Sequence, residues 1–396
     1  MTSQNSAAAA PFDPLAAANS VPHAELAELR RQCPVARTPS GYWYLSRHEQ
    51  VVTASRDVLT FEGSYIDTDG LAPDELFLPF VTEPRHGKVR RVINAAIAAH
   101  RLGRIEPQLR DLCSRLLDPI VEAGSAEFIR SYVEPIPAAG IGFLLGLPDA
   151  DHPRFSRWAD ELFRGTVLAP PEEQVARARA MQEISEYLDA EIAARASAEH
   201  PPDDFITRLV NTEVAGERLS HLACRTQLIF LLVAGTETTR NLIGNMTLTL
   251  AQRPDLLAHL RSHPEAVPAA IEESLRIDPP LPFLLRRSTA DVSLAGVHLD
   301  AGSQVAFGLA SANRDETVWD DPDTFVLDRE NAHRHMSFGD GPHICPGAAL
   351  ARLEARVAIE TLVERVDHLE LDADFVYRKT AVPFTNGPQT LSIRLG

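Results

Sequence analysis

The chain reads as a single, mainly α-helical domain with a minor β-sheet. Three observations carry that reading. Helical spacing of apolar residues dominates from about Val21; the strand-like pieces, residues 42–45 and 292–294 among them, are short; and neither an internal repeat nor a linker divides the 396 residues. Length alone suggests two or three domains, but some folds run this long as one unit. Residues 1–20, rich in Ala, Asn and Pro without a useful period, are expected to form a mobile tail ahead of a domain over 21–396.

Residues 170–204 are charged, Ala-rich and helical in pattern, and break at Pro201-Pro202. The next helix is unusually long. Ser220 is a plausible N-cap, and the run from His221 to about Gln252 stops just short of Pro254. At 1.5 Å per residue such a helix spans roughly 48 Å, the width of a whole domain. Its middle, residues 227–234, is apolar nearly all round, as expected of a helix that crosses the interior. Gly235, flanked by Thr236, Thr238 and Thr239, is poor material for a regular buried helix. A tolerated glycine with solvated hydroxyls is one explanation; hydroxyls this deep otherwise need partners.

Composition narrows the class. The net charge of −17 disfavours nonspecific binding to nucleic acid or to an anionic membrane. Only Lys88 and Lys379 are lysines, so nearly all positive charge is arginine. Cys33, Cys113, Cys224 and Cys345 form no Cys-x-x-Cys pair, which argues against a zinc ribbon or a disulfide scaffold. The longest apolar runs fall well short of the ~20 residues that span a bilayer, and the N-terminus lacks the basic-then-apolar order of a signal peptide. A cytoplasmic monomer without a membrane anchor is expected.

The chemistry centres on one cysteine. The segment Ser337-Phe338-Gly339-Asp340-Gly341-Pro342-His343-Ile344-Cys345-Pro346-Gly347 has the texture of a loop, and Ala348-Ala349-Leu350-Ala351-Arg352-Leu353-Glu354 is an excellent helix start. A thiol is thus set just before a helix N-terminus, where free N–H groups and the macrodipole favour a thiolate. Two glycines one residue apart let the backbone approach a flat ligand closely. A dinucleotide loop does not fit, because after Gly339-x-Gly341 the third glycine is misplaced.

This loop resembles the haem-binding loop of cytochromes P450: Phe338, Gly339, Gly341, a basic residue at His343, Cys345 and Gly347. With average residue frequencies, those positions coincide by chance on the order of once per million chains. A lone cysteine would more often be an inert core thiol. Further segments extend the resemblance in family order. Ala234-Gly235-Thr236-Glu237-Thr238-Thr239 is similar to the oxygen-activation motif; Thr238 lies four residues after Ala234, so its hydroxyl can take that carbonyl and open a local groove. Glu273 and Arg276 match the Glu-x-x-Arg pair, to which the family assigns folding and haem retention. Alone such a pair is usually a surface ion pair. Thr324 stands where many relatives carry an arginine completing that network, and Arg329 is a candidate substitute. His86 and Arg90, Arg286 and His343 match the family's propionate ligands, although each alone would more often be a solvated surface residue.

The resemblance is specific over about residues 80–396 and rests on length and texture before that. It implies a single-domain P450 fold around buried haem b (iron protoporphyrin IX) with Cys345 as iron ligand, and with Phe338, Gly339, Gly347 and Ala234 against the macrocycle. The implied reaction is a monooxygenation: O2 is the co-substrate, and Glu237 and Thr238 deliver protons. Electrons from NAD(P)H would arrive only indirectly, through a ferredoxin or flavodoxin docking on the cysteine side, with Lys88, Arg91, Arg352 and Arg356 as candidate contacts. Ordinary solvated helix faces are the alternative for those four. By family position the substrate pocket would take Phe230, Val233, Ala234, Pro282, Phe283, Leu284 and Phe384, or these could be plain core. Their apolar character favours a hydrophobic small molecule, and the run Glu237-Thr238-Thr239-Arg240-Asn241 resembles sterol- and terpenoid-oxidising members. Segments 61–82 and 155–200, implied as the lid, carry no readable selectivity. Peroxide-driven oxidation, ring coupling, desaturation or nitration, and a haem-binding sensor without turnover, are the competing readings.

Overall fold

Apolar residues at helical spacing become helices along most of the chain. In order these are α1 (His23–Gln32), α2 (His48–Arg56), α3 (Arg85–Ala96), α4 (Ala99–Ala123), α5 (Pro135–Leu145), α6 (His152–Arg164) and α7 (Pro171–Ser197). They continue as α8 (Phe205–Asn211), α9 (His221–Gln252), α10 (Pro254–Ser262), α11 (Val267–Ile277), α12 (Leu309–Ala312) and α13 (Ala348–Arg365). The computed structural model describes all residues except 1–9, 11, 17–19, 64–69, 98, 165–169, 215, 381 and 383.

Helix α9 is the unbroken rod that the sequence predicts. The Ser220 hydroxyl accepts the Ala223 N–H at 3.1 Å, and the helix ends at Arg253, where Pro254 opens α10. Cys224, Leu228, Leu232, Leu242, Ile243 and Met246 are buried on its several faces, and α4, α5, α13 and α11 supply the rest of that core. Early in α9, the Gln227 amide accepts the Leu78 N–H at 3.0 Å and donates to the Leu76 carbonyl at 2.9 Å, tying residues 76–78 to the rod. Helix α7 buries Ala180, Ile184, Leu188 and Ile192, a single row at i, i+4 spacing that leaves its other faces to solvent.

Helix α5 is apolar all round and almost wholly buried, and it stops at Gly146, whose φ of +73° suits a left-handed cap. Its Gly140 lets α13 approach. A Cβ there would stand 1.9 Å from a carboxylate oxygen of Glu354.

The sheet is minor, as the sequence reading has it. Strands β1 (Val35–Arg37), β2 (Trp43–Leu45), β3 (Phe61–Glu62), β7 (Leu284–Ser288) and β10 (Gln304–Phe307) lie in the order β1-β2-β10-β7-β3, with only β2 and β10 parallel. The piece at 292–294 becomes half of a separate hairpin, Val292–Leu294 with Val297–Leu299. A second core of Trp43, Leu45, Val51, Phe61, Val305, Phe307 and Met336 lies under the larger sheet.

The tail expected over 1–20 falls largely outside the described residues. Where it is described, it packs against the domain. Ala10 is buried with its N–H on the Arg37 carbonyl at 2.8 Å, and Phe12 and Leu15 pack on the cluster of Leu26, Leu29, Tyr44 and Phe283. Those apolar residues find a sheet edge to cover, and composition alone carries no signal of that.

Candidate active site

The cysteine loop is held from three sides. The Ser337 hydroxyl donates to the Leu275 carbonyl at 2.6 Å, the Cys345 N–H donates to the Phe338 carbonyl at 2.8 Å, and Asp340 pairs with Arg56 at 2.8 Å. Gly339 and Gly341 have φ of +71° and +68°, and a Cβ on Gly341 would meet the Ser55 carbonyl at 2.7 Å, so both turns require glycine. Gly347 is the N-cap of α13. Packing around Cys345 pushes its thiol up, although part of the residue meets solvent. The N–H groups of Gly347 and Ala348 and the charges of Arg90 and Arg352 pull it back toward thiolate. Pro346, lying between, has no N–H to add.

On α9 the Thr238 hydroxyl donates to the Ala234 carbonyl at 2.8 Å, the contact that the spacing predicts, and Thr236 repeats it to Leu232 at 2.7 Å. A Cβ on Gly235 would lie 2.9 Å from the tip of the Ile141 side chain, so α5 and α9 approach closely there. Glu237 does not turn to Thr238. Its carboxylate accepts from Asn241 at 3.1 Å and from the Thr380 hydroxyl at 3.1 Å, with Thr385 at 3.5 Å and Arg240 at 3.9 Å.

Four basic side chains from three segments converge. His86 and His343 stack with ring centroids 4.0 Å apart, and Arg90 of α3 and Arg286 of β7 act on both. Burial first, then His86, Arg286 and Arg90, hold His343 down at about 3. His86 donates through Nδ1 to Glu83 at 3.0 Å, while its Nε2 is buried without a partner. Arg90 is lowered by burial, and the Cys345 thiolate works against that. Glu83 and the Cys345 thiolate bring negative charge to its edge, and a dianionic ligand would find four nitrogen donors gathered beside the thiol.

Glu273 and Arg276 are wholly buried and joined by two bonds of 2.8 Å. Arg276 also donates to the carbonyls of Asn313, Pro322 and Thr324, at 3.0, 2.7 and 3.1 Å. The third member is Arg329, whose Nε reaches Glu273 at 3.0 Å; position 324 contributes only its carbonyl. Asn313 carries the network on to the cysteine loop, through Met336 N–H at 2.6 Å and Ser337 at 2.9 Å.

The expected pocket residues do not all share one space. Phe230 packs on Phe77 with ring centroids 5.6 Å apart, and Val233 and Ala234 follow it along α9. Leu284 lies by Gly339, within 3.9 Å of where its Cβ would be. Pro282 and Phe283 instead line a recess with Leu26 and Tyr44, because Phe283 joins the small core under the N-terminal segment. Phe384 is exposed and touches Phe163 of α6, centroids 5.9 Å apart. Two of the four cations expected to face a partner are tied within the molecule. Arg352 makes a two-point pair with Glu272 at 2.6 and 2.9 Å and covers the Phe338 ring at 4.5 Å; Arg356 bridges Glu106 at 2.8 Å and Glu360 at 3.2 Å.

Sequence reasoning missed Glu354. This acid is buried beneath α9, bonded to the Thr239 hydroxyl, with Oε1 unpartnered, and burial pushes it far above the carboxylate range, so it is neutral. Its only sequence signal is an acid on the inward face of an otherwise apolar helix.

A thiol at a helix N-terminus, threonine hydroxyls bonded back to carbonyls of the central helix, and a basic cluster together make the donor set that a haem-thiolate site would use. Residues 260–375 match the family described as Cytochrome P450. The chain is 34% identical over 354 residues to erythromycin C-12 hydroxylase of Saccharopolyspora erythraea, covering 88% of each, and 31% identical over 370 residues to steroid C26-monooxygenase of Mycolicibacterium smegmatis, covering 92% and 90%. The structure of CYP109E1 from Bacillus megaterium in complex with corticosterone superposes with a TM-score of 0.86, at 28% identity, covering 94% of this chain and 98% of the other. The chain belongs to the cytochrome P450 family and is a P450 oxidoreductase of the bacterial type; membership implies haem iron and use of O2. No described helix is long and apolar enough to cross a membrane.

Proposed function

We propose that this protein inserts one oxygen atom from O2 into a hydrophobic small molecule of steroid, terpenoid or macrolide type, taking electrons from a separate ferredoxin or flavodoxin. The observation that carries the reading is the joint placement of Cys345 among its N–H donors and of two histidines and two arginines beside it. The donor set fits haem b: one thiolate for the iron, and His86, Arg90, Arg286 and His343, including an orphaned imidazole nitrogen, for two propionates. When bound, that haem supplies activation of dioxygen, with thiolate donation favouring O–O cleavage.

The chain's own residues bind, orient and move protons. The Thr238 hydroxyl, bonded to the Ala234 carbonyl, places a polar group in the apolar wall of α9. Glu237, one residue earlier, is the acid that hands protons toward that hydroxyl. Phe230, Val233, Ala234 and Leu284 offer apolar surface to the substrate; that two relatives are named for a steroid and a macrolide supports a bulky one. Arg91, exposed on α3, is a cation of the expected set that a partner would meet, NAD(P)H acting only through it.

Thr238→Ala is expected to leave substrate binding near normal and to divert reducing equivalents to peroxide, read as the ratio of product to NAD(P)H consumed. Unchanged coupling would favour the peroxide-driven or sensor readings. Arg90→Ala and Arg286→Ala are each expected to lower haem content more than secondary structure, since a buried carboxylate deprived of its partner costs about 1–3 kcal/mol. Full haem occupancy in the double variant would remove the propionate assignment. Spectral titration with sterols, terpenoids and macrolides, followed by product analysis, tests the substrate class.

A further inference from the structure

A polar cleft opens between the start of α5, helix α6 and the middle of α9, and the C-terminal turn closes its far wall. Three carboxyls line it: Glu134, Asp160 and Glu237. Their bonding separates them. Asp160, half exposed on α6, is paired with Arg164 at 2.7 Å. Glu237, at the inner end, accepts from Asn241, Thr380 and Thr385. The Glu134 carboxyl has no hydrogen-bond or ion-pair partner among the described residues, although it feels Arg240, Asp160, Glu237 and Arg130.

We propose that this cleft is the route by which protons reach Glu237 from solvent, and that Glu134 is the relay carboxyl that takes them up first. The proposal rests on Glu237 acting as the acid of the proposed reaction. Asp160 is already bonded to Arg164 and must exchange that partner before it can take up or pass a proton, a step that Glu134 does not need. An unbonded one can accept a proton from a solvent acid and pass one on. A hydronium or buffer acid protonates the Glu134 carboxylate; Glu134 then gives its proton, through water in the cleft, to the Glu237 carboxylate and returns to its anionic form. The net change is one proton moved from bulk to Glu237. Arg240, 3.9 Å from Glu237 and bonded to Asn241 at 2.8 Å and to the Gln389 carbonyl at 3.2 Å, spans the cleft between the two acids and keeps both anionic forms accessible.

Burial raises the pKa of Glu134, with Asp160 and Glu237 adding to it, and Arg240 and Arg130 opposing. Raised affinity makes the proton-loaded form dominant below that pKa and scarce above it. Coupling in the native holoenzyme therefore falls as pH rises through it.

The test compares the holoenzyme with Glu134→Gln, Glu134→Asp and Ser156→Phe, the last filling the cleft from α6. Glu134→Gln should raise peroxide per product several-fold, enlarge the solvent deuterium isotope effect on coupling and abolish its pH dependence. Glu134→Asp should restore much of both, and Ser156→Phe should uncouple like Glu134→Gln. Infrared difference spectra across the same pH range should contain a carboxyl band missing only from Glu134→Gln. Unchanged coupling in Glu134→Gln and Ser156→Phe, with Glu237→Gln uncoupled, overturns the proposal and leaves Glu237 in its role. Unchanged coupling in Glu237→Gln overturns that role as well. Should Glu134→Gln fail to fold, Ser156→Phe and the native pH profile still decide.

Discussion

Arg276→Ala is expected to remove a large share of the stability on the haem side of this protein. Removing the guanidinium leaves the Glu273 carboxylate wholly buried, with the Arg329 Nε and the Val326 N–H as its remaining partners. Breaking a buried pair from one side costs about 3–5 kcal/mol, against a total stability of about 5–15 kcal/mol. The loss also frees the carbonyls of Asn313, Pro322 and Thr324, so the route from α11 to the cysteine loop loosens. Denaturant midpoint and haem content should fall together. Arg329→Ala leaves the 2.8 Å fork intact and should cost less. Equal losses in the two variants would show that Arg276 is not the keystone of the network.

Cys345→Ala should abolish the long-wavelength band of the reduced carbon monoxide complex, the spectral mark of thiolate ligation from which the family takes its name. Cys113→Ala and Cys224→Ala should keep it. Burial pushes both of those thiols up to about 12, where no useful thiolate exists near neutrality, whereas Cys345 has N–H donors and two guanidinium groups drawing it the other way. Loss of the band in either control would displace the ligand assignment.

What the sequence makes legible here is what depends on neighbours in sequence. The capped 32-residue α9, the Thr238 bond to Ala234, the glycine turns and the thiol before α13 are all short-range geometry, and spacing suffices to read them. Partners distant in sequence are another matter. That Arg329 lies 56 residues from Glu273 and meets it at 3.0 Å follows from how α11 packs against the loop, which no local pattern encodes. Arg352 and Arg356 have the periodicity of an exposed face and still spend their charge on Glu272, Glu106 and Glu360. Phe283 lies just ahead of the strand that opens at Leu284 and joins Leu26 and Tyr44, partners far away in sequence that no local run of apolar residues encodes.

Gly140 and Glu354 are one site so far as inheritance is concerned. They lie on different helices, and the carboxyl fills the place where a side chain on α5 would stand, 1.9 Å from any added Cβ. Drift at position 140 to even the smallest larger residue strikes a buried acid, which must shift to make room. Drift at position 354 to a short residue leaves a hole beneath Thr239 that the glycine cannot fill. A lineage carrying this pair can therefore abandon it only by changing both residues within a narrow interval, and the two positions should appear in descendants as linked alternatives rather than as independent substitutions.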